Sequence, residues 1–304
     1  MKSIVTGGAG FIGSHLVEKL LAKKHKVIVI DDLSMGKVEN LPQDKNVKLY
    51  VASIVDDVIE DLFRGVDYVY HLGALTRPQV SILNPEATNH INVDGTLKII
   101  RYCVKYHIKK LVFVSSSSVY GEQKDFPEAE DAVPFPMSPY AVSKLIGEQY
   151  CKLYERLDGL KANYIRPFNV YGSRQSLKGS YSPAVPNFID ALSKDKSPYI
   201  TGDGKQARDF TYVDDVVDLI YRASTTKVFG EAFNAGAGHT YTINDLFKTV
   251  AKIMGKNIKP TYIEKVLEPK TTLADISKSK RLLGWKPKYT LEQGLRKTIK
   301  EILG

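Results

Sequence analysis

The sequence predicts a doubly wound α/β fold, in which helices cover both faces of a parallel sheet. Short runs rich in β-branched apolar residues recur along the chain, and helical patterns separate them. The expected strands span residues 2–6, 26–30, 47–51, 68–72, 111–115, 163–166 and 232–235. The expected connecting helices span residues 13–23, 85–106 and 139–157. Because ligands of such folds bind beyond the carboxyl ends of the strands, function is expected in the loops that follow them.

A smaller C-terminal unit is expected beside this sheet. Gly, Ser and Pro cluster over residues 172–186, and helical segments follow at 187–193, 243–254, 276–283 and 291–303. We therefore divide the chain into residues 1–168 plus about 207–236, and about 169–206 plus 237–304.

The composition excludes several classes of protein. A chain of 304 residues with 43% hydrophobic and 25% charged residues can bury a hydrophobic core without disulfides or metals, and it is not expected to be disordered. The two cysteines, Cys103 and Cys151, form no CxxC pair, so neither a disulfide framework nor a metal site is expected. No run approaches the ~20 apolar residues of a membrane span, so a cytoplasmic protein without a membrane partner is expected.

The charge is basic but dispersed. Lys and Arg number 43 against 34 Asp and Glu, a net charge of +9 that favours an anionic partner. Acidic residues lie among the basic ones along the whole chain, which is typical of a solvated surface. No nucleic-acid partner is expected, because such proteins usually concentrate their charge on one face or tail.

The loop after the first strand carries a glycine pattern. It reads TGGAGFIG over residues 6–13, and a helical pattern follows at once. Gly7, Gly10 and Gly13 suit a tight turn, close backbone approach to a ligand and close packing of helix on strand. A glycine triplet also occurs in purely structural turns. The strand before it and the helix after it favour a pyrophosphate held at the helix N-terminus.

An acidic residue ends the second strand. Asp31 lies 18 residues after Gly13, where a carboxylate can accept hydrogen bonds from both ribose hydroxyls of an adenosine. A 2′-phosphate would meet this negative charge, so NAD is favoured over NADP. The neighbouring Asp32 fits either the same site or a turn-forming role.

A serine, a tyrosine and a lysine form the candidate catalytic group. Ser116 follows the fifth strand, and a helix opens at Ser138-Pro139 so that Tyr140 and Lys144 fall at i and i+4 on one face. A nearby positive charge favours the phenolate, so we expect Lys144 and bound NAD+ together to lower the pKa of Tyr140. Tyr140 then exchanges a proton with a substrate hydroxyl that Ser116 orients. An isolated Tyr-x-x-x-Lys is usually an exposed pair, and only the accompanying motifs give it weight.

The combined motifs resemble one known family. TGGAGFIG at 6–13, Asp31, HLGA at 71–74, SSSSVYG at 115–121, YAVSK at 140–144 and RPFNVYG at 166–172 resemble the extended short-chain dehydrogenase/reductase family. Within it, the chain is most similar to NAD-dependent sugar-nucleotide epimerases of the UDP-glucose/UDP-galactose 4-epimerase type. The resemblance extends to about residue 287, through GDGKQARDFTYVDDVV at 202–217 and LADISKSKRLLGW at 273–285. It implies a Rossmann-type sheet with a smaller C-terminal α/β substrate-binding domain.

The resemblance also implies roles for individual residues. Those expected to bind NAD are Gly7, Gly10, Phe11, Ile12, Gly13, Asp31, Asp32, Ile54, Leu72, Ala74, Asn92, Tyr140 and Lys144. Those expected to bind a UDP-sugar are Ser116, Ser117, Asn169, Arg208, Phe210, Lys265, Glu268 and Thr272. Arg208 suits phosphate because a guanidinium offers bidentate donors, although a salt bridge with Asp209 or Asp214 is an alternative.

Two departures from the family pattern affect binding. Ser53 stands where the family usually has an Asp that contacts adenine, so the backbone at Ile54 is expected to contribute there. The family's Arg-Pro-Gly-Asp appears as residues 265–268, Lys-Val-Leu-Glu. A lysine at 265 neutralises phosphate but lacks the planar fork of an arginine.

The residues after Ser116 separate the reactions of the family. Dehydratases carry Asp and Glu where this chain has Ser117 and Ser118, and decarboxylating relatives keep a Glu at position 118. With two serines, 4-epimerisation through a transient 4-keto sugar fits best. Thr272 matches the position that limits sugar size, and a small residue there suggests that UDP-GlcNAc/UDP-GalNAc is accepted beside UDP-glucose/UDP-galactose.

Other functions stay open on the sequence. One is a nucleotide-sugar reductase or a dehydratase-like oxidoreductase of the same family. The other is a non-catalytic protein that senses the cofactor, since fold does not fix function. The resemblance further implies a homodimer, formed through the helices that contain residues 99–106 and 146–157.

Overall fold

Thirteen strands lie in the computed structural model, which describes residues 1–176 and 182–304. In chain order they are β1 (Lys2–Thr6), β2 (Lys26–Asp31), β3 (Val47–Val51), β4 (Tyr68–His71), β5 (Lys110–Val114), β6 (Ala162–Pro167), β7 (Val170–Tyr171), β8 (Tyr199–Thr201), β9 (Ala207–Asp209), β10 (Thr211–Tyr212), β11 (Ala232–Ala235), β12 (Thr240–Thr242) and β13 (Thr261–Ile263).

Seven of these strands form one parallel sheet in the order β11-β6-β5-β4-β1-β2-β3. They are the seven predicted strands, with ends that differ by at most one residue. The predicted Rossmann-type α/β fold is therefore confirmed. β11 returns to the sheet beside β6, in line with a first unit built from two separate stretches of chain.

Helices connect the strands and cover the sheet. From the N-terminus onward they are α1 (Phe11–Ala22), α2 (Pro78–Leu83), α3 (Pro85–Asn89), α4 (Gly95–Lys105), α5 (Pro139–Asp158), α6 (Ala184–Ser193), α7 (Val213–Thr225), α8 (Ile243–Met254), α9 (Ser277–Leu283) and α10 (Leu291–Leu303). Short 3₁₀ turns occur at Val38–Asn40, Asp57–Phe63 and Ser117–Val119.

The sheet is buried on both faces because neighbouring side chains of each strand point to opposite sides. In β1, Val5 packs with α1 and α7 on one face. Ile4 packs with α4 and α5 on the other, where the two cysteines are also buried and free. Two helical layers therefore enclose the sheet and leave its carboxyl edge as the place for a ligand.

The chain reverses its winding between β1 and β4, which are neighbours in the sheet. Such a switch point opens a crevice at the carboxyl ends of the two strands. Gly7 follows β1 there with φ +67, and a Cβ on it would come within 2.9 Å of the Gly73 nitrogen after β4. A side chain is excluded at residue 7 by both the backbone conformation and this close approach.

The helix predicted over residues 85–106 is wrong as a single element. A π-helical turn, His90–Asp94, separates α3 from α4. π turns accommodate one extra residue and are common at functional sites. The wide turn contains Asn92, whose side chain makes contacts described below.

The start of α5 follows the predicted capping pattern. The Ser138 hydroxyl accepts a hydrogen bond from the Ala141 N–H at 3.2 Å, and Pro139 occupies the first helical position. The helix ends at Gly159, which is left-handed with φ 67. These two ends fix the register that carries Tyr140 and Lys144.

Beyond the central sheet, the remaining strands form three short pairs, β7–β10, β8–β13 and β9–β12. α6, α8 and α10 pack against them and contribute to the larger core. Part of the expected loop at 172–186 lies outside the described residues. Within the described ranges, no helix has both the length and the apolar character needed to cross a bilayer.

Candidate active site

A cavity of about 880 Å³ runs along the carboxyl edge of the sheet, at the upper end of the range for ligand pockets. The predicted site residues that line it are Gly7, Gly10, Phe11, Ile12, Gly13, Asp31, Asp32, Ile54, Leu72, Ala74, Ser116, Ser117, Tyr140, Lys144, Asn169, Arg208, Phe210, Glu268 and Thr272. Ser53 lines it as well. Asn92 and Lys265 do not.

The glycine loop fits a pyrophosphate. A Cβ on Gly13 would lie 2.1 Å from the Gly7 carbonyl oxygen, so only glycine permits this approach of helix and loop. Gly10 is the N-cap of α1, and a Cβ there would meet only the Gly7 oxygen, at 3.2 Å. The first N–H groups of α1 have no partner within the helix and point out of its N-terminus, as anion binding requires.

Asp31 is buried at the end of β2 and already holds two backbone groups. Its carboxylate accepts from the Ala9 N–H and the Leu33 N–H, both at 2.9 Å. Burial raises its pKa, and these hydrogen bonds oppose that rise. Since a carboxylate accepts about four hydrogen bonds, capacity remains for ribose hydroxyls.

Asp32 shows the turn-forming geometry that was the alternative for it. Its side chain accepts from the N–H of Ser34 at 2.9 Å and from the Ser34 hydroxyl at 2.6 Å. It is exposed and still borders the cavity. The turn held by Asp32 shapes the wall beside Asp31.

Asn92 is buried behind the cavity wall and positions two elements. Its Oδ1 accepts from the Leu75 N–H at 2.8 Å, and its Nδ2 donates to the Leu75 carbonyl at 2.9 Å. The same Nδ2 donates to the Ser143 hydroxyl on α5 at 3.0 Å. Asn92 therefore holds the loop after β4 against α5, and its contact with the cofactor stays a prediction.

Sequence reasoning missed a second support of this loop. The Thr6 hydroxyl accepts from the Leu72 and Gly73 N–H groups and lies 2.7 Å from His71 Nδ1. His71 Nε2 lies 2.9 Å from the Thr96 hydroxyl. Burial lowers the pKa of His71 to about 3, so the ring is neutral near pH 7. The HLGA motif at residues 71–74, which begins on the last residue of β4, is the sequence signal for this support.

Ser116, Tyr140 and Lys144 come together as predicted, at the carboxyl ends of β5 and the start of α5. The Ser116 side chain lies near enough to Tyr140 to affect the pKa of its phenol, and the Ser116 hydroxyl accepts from the Ser118 N–H at 3.1 Å. Lys144 donates to the Val114 carbonyl at 2.8 Å, and its Nζ lies 6.0 Å from the centre of the Tyr140 ring. All three side chains border the cavity.

The expected lowering of the Tyr140 pKa depends on Lys144 together with bound NAD+, and the residues of the chain by themselves shift this pKa in the other direction. Burial raises the pKa of Tyr140 above its ordinary value, and the nearby Ser116 side chain offsets only part of that rise. Burial also lowers the pKa of Lys144 to about 7, against the influence of Glu148. Removal of both groups from water therefore outweighs their mutual attraction.

Glu148 is itself neutralised by Arg166. The two side chains are buried and share two hydrogen bonds, Arg166 Nε to Oε1 at 2.9 Å and Nη2 to Oε2 at 2.7 Å. Because this carboxylate is already paired, it provides Lys144 with little compensating charge. Near pH 7 Lys144 is therefore only partly protonated, so a charged ligand beside it can shift its protonation state.

Arg208 forms an ion pair with neither of the two partners that were considered for it. Asp209 accepts instead from the N–H groups of Ala237 at 2.6 Å and Gly238 at 2.9 Å, and Asp214 pairs with Lys297. The ion-pair partner of Arg208 is Glu268.

The geometry of this ion pair leaves one donor of Arg208 available. Nη2 lies 2.9 Å from Glu268 Oε2, but the angle is not that of a hydrogen bond, and this buried nitrogen has no hydrogen-bond acceptor among the described residues. Nη1 donates to the Ala207 and Lys270 carbonyls, which fixes the guanidinium. A buried, fixed and incompletely paired guanidinium is suited to an anionic ligand.

The far wall of the cavity joins distant parts of the chain. Asn169 Nδ2 donates to the Thr272 hydroxyl at 3.1 Å, and Phe210 is buried nearby in the cavity lining. Gln79, which the sequence did not single out, donates to the Leu267 carbonyl at 2.9 Å and ties the first turn of α2 to segment 264–268. Lys265 is exposed on that segment, outside the lining.

Known proteins show the same architecture. A putative UDP-glucose 4-epimerase of Methanocaldococcus jannaschii is 38% identical over 301 residues, covering 97% of this chain and 96% of that protein. The structure of UDP-glucose 4-epimerase with UDP-glucose from Thermotoga maritima is 39% identical with a TM-score of 0.96, covering 99% and 98%. UDP-N-acetylglucosamine 4-epimerase from Methanobrevibacter ruminantium, in complex with UDP-N-acetylmuramic acid, is 37% identical with a TM-score of 0.96 and the same coverage.

Similar proteins also include ones named as decarboxylases and a dehydratase, so likeness alone does not select the reaction. Residues 3–236 match the model of the NAD dependent epimerase/dehydratase family. The match spans most of the chain and agrees with the glycine loop, the acidic strand end and the Ser-Tyr-Lys group. The chain belongs to the NAD-dependent epimerase/dehydratase family, as its motifs indicated, and NAD is the cofactor that this membership implies.

Proposed function

We propose that this chain catalyses the reversible 4-epimerisation of a UDP-sugar, with UDP-glucose and UDP-galactose as one substrate pair. The observation that carries the proposal is that Ser116, Tyr140 and Lys144 border one large cavity together, with Ser117 and Ser118 beside them. UDP-GlcNAc and UDP-GalNAc form a second proposed pair, because Thr272 is small.

The proposed NAD site extends from the glycine loop to the catalytic group. Gly7, Gly10, Phe11, Ile12 and Gly13 would hold the pyrophosphate, and Asp31 the adenosine ribose, with Asp32 and Ile54 at the wall of this half of the cavity. Leu72, Ala74, Tyr140 and Lys144 would border the nicotinamide half, with Asn92 holding the loop in place. When bound, NAD supplies reversible acceptance of a hydride from a sugar carbon and a positive charge beside the phenol.

Tyr140 is proposed as the general acid and base. As a phenolate it takes the proton of the sugar C4 hydroxyl, and as a phenol it later returns that proton, while Ser116 orients the sugar hydroxyl by hydrogen bonding. A raised pKa favours the protonated phenol, so proton uptake needs a positive charge nearby. Lys144 supplies part of it once its own ammonium form is stabilised.

The substrate is proposed to be anchored by its nucleotide and not by its sugar. Arg208 would pair with the diphosphate, Asn169 would contact it, and Phe210 would pack near the base. Lys265 would add positive charge from outside the cavity lining, and Glu268, the ion-pair partner of Arg208, would border the substrate. Because these contacts are made away from C4, a keto sugar can turn over while the diphosphate stays bound.

Ser117 and Ser118 favour epimerisation over elimination or decarboxylation. Loss of water requires an additional acid and base next to C5 and C6, and a hydroxyl does neither efficiently at neutral pH. The Ser116 hydroxyl donates to Ser118 at 3.1 Å, so these serines form a local hydrogen-bonded cluster. Ser117 remains beside the sugar as a neutral contact.

The two-unit division and a homodimer are also proposed. One unit, residues 1–168 plus about 207–236, would carry NAD, and the other, about 169–206 plus 237–304, would carry the sugar nucleotide. The outer face of α5 exposes Val142, Leu153 and Leu157 to different extents. These side chains recur at helical spacing, as an interhelical contact between two copies requires. We also propose that the protein is cytoplasmic.

The reaction is tested with purified protein and NMR of each UDP-sugar. We expect inversion at C4 in both directions without net consumption of added NADH. Mass spectrometry is expected to detect NAD released from the denatured protein. Stoichiometric oxidation of NADH or NADPH would indicate a reductase. A 4-keto-6-deoxy product would indicate a dehydratase. A protein that binds both ligands but turns over neither sugar would be a sensor.

A further inference from the structure

A second cavity, of about 330 Å³, lies at the opposite edge of the central sheet from the proposed active site. It is bordered by the amino ends of β4, β5 and β6 and by the end of α7. Strands of this length separate the two edges by roughly 15 Å. A ligand in this cavity would therefore not touch the catalytic group.

Four lysines line this second cavity: Lys109, Lys110, Lys161 and Lys227. Lys109 pairs with Asp67 at 2.7 Å. Neither Lys161 nor Lys227 forms an ion pair with any residue that the structure describes. Four ammonium groups around one concave surface, with one carboxylate among them, produce a local positive potential.

Lys110 is the buried member of the group, with 5% of its surface exposed. Its Nζ donates to the Val228 carbonyl at 2.7 Å and to the Thr226 carbonyl at 3.1 Å, at the end of α7. An ammonium has three donors, so these two carbonyls leave one N–H for another acceptor. Burial lowers the pKa of Lys110, and the charge of Lys161 lowers it further, which shows that the two ammonium groups lie close together.

Phe229 brings two of the lysines to the same place. The Nζ atoms of Lys110 and Lys161 lie 5.6 Å and 5.9 Å from the centre of its ring. Cation–π attraction of this kind orients ammonium groups but does not neutralise their charge. The fold therefore holds these two ammonium groups close together, and a bound anion would relieve the repulsion between them.

From this arrangement we infer that the second cavity binds an oligophosphate anion, at a site separate from the active-site cleft. Lys161 and Lys227 supply the exposed charges, Lys110 supplies a fixed donor at the base, and Lys109 stands at the rim. Lysine binds phosphate groups as a point charge, and several lysines around one cavity favour a ligand with more than one phosphate.

The test uses isothermal titration of the full chain with pyrophosphate and with tripolyphosphate at low ionic strength. Saturating UDP is present, so that Arg208 in the active-site cleft is already occupied. We expect one saturable site per chain, with tripolyphosphate bound more tightly than pyrophosphate. Raising the salt concentration is expected to weaken binding, because the contacts are between charges near the surface.

The variant Lys161→Met/Lys227→Met removes the two exposed charges and keeps long apolar side chains. We expect it to weaken tripolyphosphate binding at least about tenfold, as loss of two charge-assisted contacts implies. The matched control is Lys286→Met/Lys300→Met, which has the same change in net charge at two exposed positions elsewhere. It is expected to bind like the unaltered chain.

Absence of saturable binding would overturn the inference. So would equal weakening in both double variants, because that would report the net charge of the chain and not a site. Because all four substituted lysines are exposed, both variants are expected to fold, and thermal melting without ligand checks this. If no oligophosphate binds in this cavity, the result of the epimerase assay does not change, so each proposal is tested separately.

Discussion

Arg208 and Glu268, 60 residues apart and both expected to bind the substrate, form an ion pair with each other in the cleft. Nη2 and Oε2 are 2.9 Å apart, and Gln206 also donates to the Glu268 carboxylate, at 3.3 Å. The chain's own carboxylate therefore lies where a diphosphate is proposed to pair with the guanidinium. Substrate binding has to displace this internal anion before Arg208 can hold a phosphate.

The variant Glu268→Gln tests this competition. Glutamine keeps hydrogen-bonding capacity but removes the charge, so we predict that UDP binds roughly 3- to 10-fold more tightly. Titration calorimetry measures the change, and Glu264→Gln, an exposed neighbour, serves as the control. Weaker UDP binding would instead mean that Glu268 contributes a direct contact worth more than the competition it causes.

Tyr140 and Lys144 are expected to fail in different ways. We predict that Tyr140→Phe lowers kcat by about 10²–10⁴-fold with NAD still bound, because only the proton exchange is removed. Lys144→Met is predicted to lower both kcat and NAD content, since Lys144 is proposed to border the nicotinamide half of the NAD site and to stabilise the phenolate. Kinetics combined with mass spectrometry of bound NAD separates the two effects. Equal loss of NAD in both variants would contradict a purely chemical role for Tyr140.

Thr272 is predicted to set the size of the accepted sugar. The variant Thr272→Tyr adds bulk next to Asn169 and is expected to abolish turnover of UDP-GlcNAc while keeping most turnover of UDP-glucose. Thr272→Ser keeps the hydroxyl that accepts from Asn169 and serves as the matched control. Comparing kcat/KM for the two sugars provides the measurement. Parallel losses for both would show that residue 272 lies outside the sugar pocket.

We predict that the free energy of unfolding depends on pH because of Glu128. It is 1% exposed, both of its carboxylate oxygens lack hydrogen-bond partners among the described residues, and burial with the nearby Asp209 raises its pKa to about 8. Between the unfolded pKa of 4.5 and about 8, the folded state holds a proton that the unfolded state has lost. The free energy of unfolding therefore falls as pH rises through this window.

The matching variant is Glu128→Gln, which stays neutral at every pH. We predict that it flattens the loss of stability between pH 5 and pH 8, which for the unaltered chain is on the order of a few kcal/mol. Urea unfolding at several pH values measures this, with the exposed Glu122→Gln as control. An unchanged slope in Glu128→Gln would place the pH dependence elsewhere.

The outer face of α5 predicts an association between copies. Leu153 is 38% exposed and Leu157 is 67% exposed, one turn apart on the same helix. We predict that Leu153→Glu/Leu157→Glu converts a dimer into a monomer in light scattering, because charges would be placed in an apolar contact. Lys152→Glu, on a different face, is expected to leave the dimer intact. A monomeric unaltered chain would exclude this interface.

The sequence by itself determined the sheet, the glycine loop and the composition of the catalytic group. Each of these follows from local information: β-branched runs of strand length, a Gly spacing that only one kind of turn accommodates, and a capped helix start that fixes the register of Tyr140 and Lys144. Such signals lie within a few residues of the feature that they specify, so they can be read without knowing where the rest of the chain runs.

Only the tertiary structure decided the electrostatics and the pairings of the site. The pKa of Tyr140 rises because the folded chain removes it from water, whereas the sequence predicted a lowered pKa from the nearby lysine and bound NAD+ together. Asn92 turned out to hold a loop, and Arg208 to pair with Glu268, through contacts between residues 17 and 60 positions apart. Burial and long-range contacts are properties of the packed molecule, and no local pattern contains them.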